Sequence, residues 1–364
     1  MKIAFFLSTS GHSGVDRSMA FLFPELCKRG YSVDLLTVRK HGPYIDLDSD
    51  NFRRIDMGSK HTLTCLLGVV SYLKKEKPDV LFADKDRANR VALLAVRIAK
   101  VNTRVVVSSG TIMSINLKNR SWMEVLLHKF SMNKLYPKAH SIIVPSIDAA
   151  DDLADITTLS REQIQVVPLP IVGEHVDKQA VEPVAHPWFQ DQTVPVIIAV
   201  GELSPRKDHV TLIKAFAKVR DRRACRLVIL GRGTEKAALE ALIAKLGLQD
   251  CVELLGFVSN PYAYIAKSSL LVHTATFEGF GMVLIEAHYL GVPVAATECL
   301  GGPREILGYG KLGYLSPVGD SDALAKSIEQ SLDSPKCSVE ELKQASLPYT
   351  VSKSTDKYLE SMGF

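Results

Sequence analysis

The chain has no C-x2-C pair. Its six cysteines stand at 27, 65, 225, 251, 299 and 337, spacings that fit neither a zinc site nor a disulfide framework, so they read as core thiols. Ten histidines show no ligand spacing either, and no metal is expected. No apolar run reaches the ~18 residues of a spanning helix, although 46% of the residues are hydrophobic. The first apolar stretch, Ile3 to Leu7, is too short for the core of a secretory leader and runs straight into STSGHSG. It is expected to be a strand and loop, which implies a cytoplasmic location. No G-x-G-x-x-G follows that strand, since Gly11 and Gly14 have the wrong spacing, and this argues against a dinucleotide-dependent oxidoreductase. A net charge of only +4, with no nucleic-acid motif, argues against nucleic acid as a partner.

What is present fits two α/β domains, because 364 residues exceed the usual size of one. Short β-rich runs alternate with helical patterns in the first half, with strands at Lys2 to Leu7, Ser32 to Thr37, Val80 to Ala83, Arg104 to Ser108 and Ser141 to Val144. That alternation predicts a doubly wound sheet. The loop Ser8 to Gly14 leads into a helix from about Asp16 to Arg29 that stops at Gly30. Between Val166 and Gln192, Pro168, Pro170, Pro183 and Pro187 mark a linker that no long helix crosses. A second sheet follows, with strands at Val196 to Val200, Arg226 to Leu230 and Val252 to Leu255, each leading into a polar loop: GELSPRKD, GRGTEK and GFVSN. Helices are expected from Asp208 to Val219, up to Leu246, and over the tail from Val351 to Phe364.

Charge divides near Pro170. Residues 1–170 carry 24 Lys and Arg against 17 Asp and Glu, a surplus of seven, while the remainder carries 20 against 23. The basic half should face an acidic partner. Its densest part is Leu117 to Lys138, where Lys118, Arg120, Lys129, Lys134 and Lys138 interleave with Trp122, Leu126, Leu127, Phe130 and Tyr136. The pattern is that of a basic amphipathic helix, either half-buried or lying on an anionic membrane surface.

The stretch Phe277 to Ala287 (FEGFGMVLIEA) combines a glycine-rich turn, a helix start near Met282 and a carboxylate among apolar residues. Glycines at 279 and 281 permit close backbone approach, and the helix start offers unpaired amides and a positive dipole end to phosphate. Glu286, about one turn in, is costly to bury unless hydrogen-bond donors such as vicinal sugar hydroxyls reach it. Strands at Ser269 to Thr276 and Gly291 to Thr297 flank the unit, placing its loop at a strand's carboxyl end, where open α/β sheets bind ligands.

With Glu278 and Glu286 in an E-x7-E signature, and with EGFGMVLIEA, GVPVAAT and GGPREIL around them, the sequence resembles the retaining, nucleotide-sugar-dependent glycosyltransferases of the GT-B fold (group 1, family 4). The resemblance implies two doubly wound Rossmann-like domains facing a central cleft. The acceptor-side domain would be 1–168, the donor domain 169–349, and a C-terminal helix over 350–364 would pack back on the first. It further implies transfer of a hexosyl or N-acetylhexosaminyl unit, UDP-sugars favoured, to a lipid-linked or envelope saccharide, without a metal and with the chain peripheral to the inner face of the cytoplasmic membrane. On the matching positions, Glu278 orients the donor sugar, and Lys207 and Arg206 stabilise the leaving diphosphate. Gly281, Met282 and Val283 offer amides, Glu286 meets the ribose, Phe257 and Val258 lie at the base, and Gly14 and Arg17 lie beside the donor phosphates. Gly301, Gly302 and Pro303 are expected to be structural. Two departures stand out. Gly201-Glu202 replaces the usual Gly-Arg, with Arg206 as the substitute cation, and Ser108-Ser109-Gly110-Thr111 lacks the histidine relatives often place near the reacting centre. His12 is the nearest alternative, though more in keeping with a surface loop. These departures keep open a catalytically silent sugar-nucleotide binder or assembly subunit. A GT-B epimerase or phosphorylase should lack the E-x7-E unit.

Overall fold

The computed structural model describes residues 1–9, 11, 13–118, 120–191 and 193–364, so His12 lies outside the described residues. The chain divides into two compact units, one formed by Met1–Ile171 with Tyr349–Phe364 and the other by Val172–Pro348.

The first unit is built on seven parallel strands: β1 (Lys2–Leu7), β2 (Ser32–Thr37), β3 (Phe52–Asp56), β4 (Val80–Asp84), β5 (Arg104–Ser108), β6 (Ser141–Val144) and β7 (Ile164–Val166). Their order is β3-β2-β1-β4-β5-β6-β7. Burial on both faces is written into β1 as the unbroken apolar run Ile3 to Leu7. Ile3, Phe5 and Leu7 enter one core with Val80, Phe82 and Val106, while Ala4 and Phe6 enter the other with Leu81, Ala83 and Val107. Each fully buried Phe or Leu contributes about 1.5–3 kcal/mol. The first helix, Gly14–Lys28, starts at a capping box in which Ser13 and Asp16 satisfy each other's amides. The C-terminal helix, Val351–Met362, closes the first of these cores: Tyr358 packs its ring 5.9 Å from Phe82, and Arg29 reaches Asp356 and Ser352.

The stretch 117–138 departs from the single amphipathic helix its sequence predicts. Helix Met113–Lys118 ends before a separate helix, Trp122–Leu135, and Tyr136–Lys138 is a 3-10 turn. Its polarity is also turned around. His128 and Met132 are the buried residues of Trp122–Leu135, whereas Trp122, Met123, Leu126, Leu127 and Phe130 are 60–74% exposed. Polar anchoring explains the orientation. His128 Nδ1 lies 2.8 Å from Asp86 Oδ2, Arg120 donates toward its Nε2 at 3.2 Å, and Arg90 bridges Asp86 and Ser131. Burial pushes the His128 pKa down, and the flanking arginines add to that against the pull of Asp86.

The second unit carries β8 (Val196–Val200), β9 (Arg226–Leu230), β10 (Val252–Gly256), β11 (Leu270–His273), β12 (Val294–Thr297) and β13 (Tyr314–Ser316), all parallel, in the order β10-β9-β8-β11-β12-β13. The chain winds outward from β8 to β10, then returns to lay β11 against the other side of β8. Strand order reverses between β8 and β11, so the loops that follow these two strands stand side by side at the carboxyl ends, where open α/β sheets bind ligands.

Candidate functional site

Residues 201–208 follow β8 and end in a 3-10 turn, Pro205–Lys207, while residues 274–281 follow β11 and end at the helix Met282–Tyr289. Side chains and backbone stitch the two loops together: Thr274 Oγ1 donates to the Lys207 carbonyl at 2.8 Å, and the Thr276 amide donates to the Arg206 carbonyl at 2.8 Å. Asp208 then turns the chain into helix His209–Arg220 and caps it by accepting from the Thr211 amide at 3.2 Å. The Lys207 stem lies over Gly201, where a Cβ would come within 3.2 Å of its Cε.

These loops converge on Glu278, which is 7% exposed. Lys207 Nζ pairs with its Oε1, Arg206 NH1 lies 2.9 Å from its Oε2, and His273 Nε2 lies 3.3 Å from Oε1. Burial pushes this carboxyl's pKa up, but Lys207, His273 and Arg206 outweigh it and hold the group well below the usual carboxylate range. The loop is fixed from behind by the turn after β12. The Glu278 amide donates to the Leu300 carbonyl at 2.9 Å, and Gly301 presses so closely that a Cβ there would lie 1.7 Å from the Glu278 carbonyl oxygen.

The structure thus brings Arg206, Lys207 and Glu278 into one cluster, with Arg206 supplying a second cation while Glu202 is exposed. Gly281, at φ 95°, is the N-cap of Met282–Tyr289, so the amides of Met282 and Val283 begin that helix, and Glu286 is 1% exposed within it. Phe257 stands 64% exposed after β10 with the Arg232 guanidinium 5.4 Å from its ring centre, and Val258 is half-buried beside it. Gly14 and Arg17 lie in the first turn of Gly14–Lys28, in the other unit. Sequence reasoning missed His273. It reads as one more residue of a buried strand, and its approach to Glu278 exists only once the 274–277 turn is folded.

Two other histidines of this unit, His209 and His288, are buried, and burial lowers both pKa values to about 4. Each binds its proton more readily when unfolded, near its ordinary 6.5. Their contribution is therefore present above pH 6.5 and is lost as pH falls toward 4, by roughly 3 kcal/mol for each if fully expressed. Asp84 in the first unit, raised by burial to about 6, has the opposite sign: its contribution is full below 3.8 and is lost as pH rises through 6. Thermal melts between pH 7 and 4.5 should show a falling midpoint for the second unit, and His288→Leu should flatten that slope.

The family model described as Glycosyl transferases group 1 matches residues 185–346, and that described as Glycosyltransferase Family 4 matches residues 12–172. The Campylobacter jejuni N-acetylgalactosamine-N,N'-diacetylbacillosaminyl-diphospho-undecaprenol 4-alpha-N-acetylgalactosaminyltransferase is 30% identical over 343 residues, covering 92% of this chain and 91% of its own. The amylovoran biosynthesis glycosyltransferase AmsD of Erwinia amylovora is 26% identical, over 83% and 81% of the two chains. Among solved structures, Anabaena Alr3699/HepE in complex with UDP superposes with a TM-score of 0.80 over 100% of both chains at 20% identity. The lipopolysaccharide outer core galactosyltransferase WaaB, in its apo form, superposes with a TM-score of 0.76 at 19% identity, over 100% of this chain and 99% of its own.

Proposed function

Since the chain belongs to the group 1 glycosyltransferases and has their GT-B architecture, we propose that it moves a hexosyl or N-acetylhexosaminyl unit from a UDP-sugar to a lipid-linked or envelope saccharide, with retention at the anomeric carbon. The observation that carries this reading is the Arg206–Lys207–Glu278 cluster at the strand-order reversal of the second sheet. It sets two cations and one carboxylate beside a helix N-terminus, as a diphosphate and a sugar require. The UDP in the HepE structure and the diphospho-undecaprenol in the name of the C. jejuni relative support the choice of donor and acceptor.

In this reading the acceptor hydroxyl attacks the anomeric carbon from the face the nucleotide leaves. The bond from that carbon to the diphosphate oxygen breaks as the bond to the acceptor oxygen forms, and the acceptor's proton passes to the departing phosphate. Lys207, Arg206 and the amides at Met282 and Val283 meet the charge that grows on the diphosphate, a task that then needs no metal. Glu278 accepts hydrogen bonds from sugar hydroxyls and fixes the ring. The test is release of nucleoside diphosphate from a panel of UDP-, GDP- and ADP-sugars, with and without a lipid-pyrophosphate saccharide. Turnover of one donor names it. Silence across the panel, with UDP binding intact, would favour the binder.

The same reading places the chain on an anionic membrane surface through the first unit. At about 100° per residue, Trp122, Met123, Leu126, Leu127 and Phe130 fall within roughly 140° of the helix circumference, opposite His128 and Met132. Lys134 and Lys138 are exposed beside them, and Glu124 is the one acid between Val101 and Ile147. An apolar arc edged by lysines suits the headgroup layer. Co-sedimentation with phosphatidylglycerol vesicles at low salt should pull the protein down, and Leu126→Asp with Phe130→Asp should weaken that at least tenfold, about 1.4 kcal/mol. Protein left in the supernatant would remove the membrane from this proposal.

A further inference from the structure

Of the three groups around the Glu278 carboxylate, two have another task. A bound diphosphate competes for Lys207 and Arg206, whose side chains are 12% and 33% exposed and reach Glu278 from the neighbouring loop. His273 cannot follow them. It is the last residue of β11, 3% exposed, and its ring is held within the strand's packing. Its Nε2 makes no well-aligned hydrogen bond elsewhere among the described residues, and the acceptor within reach is Glu278 Oε1 at 3.3 Å. A buried ring nitrogen left without a partner is costly, so a small rotation that completes this bond is favoured.

We propose that His273 is a positioning residue for glycosyl transfer: a neutral imidazole whose Nε2–H keeps the Glu278 carboxylate aimed at the donor sugar when Lys207 and Arg206 turn to the diphosphate. The assignment rests on the transferase reading above. Burial first, then Lys207, lowers the ring's pKa and keeps it uncharged at neutral pH, against the opposing pull of Glu278. The groups that face it from the elements packed around it are Glu278 on its own loop, Lys207 and Arg206 after β8, and His209 at the head of His209–Arg220. Glu278 thereby has two partners that move with substrate charge and one that does not, and the fixed one determines where the carboxylate points. Misplacing a reacting group by about an ångström costs on the order of a hundredfold in rate.

The experiment compares wild type, His273→Leu and His273→Gln for donor turnover, donor KM, UDP affinity by calorimetry and the pH profile of kcat from 6.5 to 8.5. Expected are a fall in kcat of about ten- to a hundredfold for His273→Leu, with KM and UDP affinity changed by less than about threefold. His273→Gln, which keeps an N–H donor near the same place, should recover most of the loss, and wild-type kcat should not decline as pH rises through 7. Wild-type kcat in His273→Leu overturns the inference. So does a His273→Gln variant that binds UDP normally yet falls more than about tenfold, which also decides the matter if the leucine variant does not fold. A wild-type rate that decays with rising pH would make the histidine a cation and overturn the neutral-donor assignment. A wild-type chain with no turnover of any donor sinks the transferase reading and this inference with it, whereas active enzyme with an indifferent His273 sinks this inference alone.

Discussion

Glu278→Ala should reduce sugar transfer by about 10²- to 10³-fold while leaving UDP affinity within about threefold of wild type. The two halves of this expectation have separate causes. In the native site the carboxylate engages Lys207, Arg206 and His273 at once, and in the proposed reaction it also accepts from the sugar. Truncation removes that acceptor, so the donor ring of the proposed reaction loses its orientation. The cations lose a partner as well, but Arg206 is one-third exposed and both stand where a diphosphate is proposed to bind, so nucleotide binding is spared. Calorimetric titration with UDP beside a turnover assay separates the two. Equal losses in both would show that Glu278 serves to hold the loop, and unchanged turnover would remove it from the chemistry. Glu278→Gln, which keeps the shape without the charge, should lie between, because an amide oxygen still accepts but its NH2 opposes Lys207.

Gly301→Ala should be at least as damaging, and for a reason visible only in three dimensions. Its φ of 113° is a conformation that side chains rarely adopt, and the added methyl would overlap the Glu278 carbonyl oxygen at 1.7 Å. Neither atom can move without displacing the turn or the loop that carries Glu278. A loss of about 3–5 kcal/mol is expected in denaturant titration, with turnover lost beyond what that instability explains. Gly247→Ala is the control: φ is 66° and nothing lies within 4 Å of the added methyl, so only backbone strain of about 1–2 kcal/mol remains. If the two variants unfolded at the same denaturant concentration, the close approach at Gly301 would not matter.

Much of the fold was legible because buried parallel strands announce themselves as apolar runs. The expected limits of β1, β2, β5, β6, β8 and β9 coincide with those observed. The strands that escaped notice are β3, β7 and β13. All three lie at sheet edges, and two have only three residues. β3 reads FRRID, with charges outnumbering apolar residues, because its outer edge meets water and Arg53 reaches back to Asp34 at 2.7 Å. The E-x7-E unit and the Arg206–Lys207 pair were equally legible, but the Lys207–Glu278 ion pair that joins them spans 71 residues and depends on which strands become neighbours. The outward face of Trp122–Leu135 was not legible. An apolar stripe in sequence carries no sign saying whether it faces a core or a partner, and here the His128–Asp86 contact settled the direction.

The last helix bears on how the molecule is made. Arg104 reaches the Gly363 carbonyl at 2.8 Å, and Tyr31 lies against Phe364 with ring centres 5.4 Å apart, so strands made early depend on a segment made after the whole of 172–348. A ribosome therefore delivers the second unit complete while the first still lacks a wall, leaving apolar side chains such as Phe82, which packs on Tyr358, open to water and to chaperones for that interval. A chain stalled before 349–364 would match the finished protein in its second unit while remaining sticky in its first.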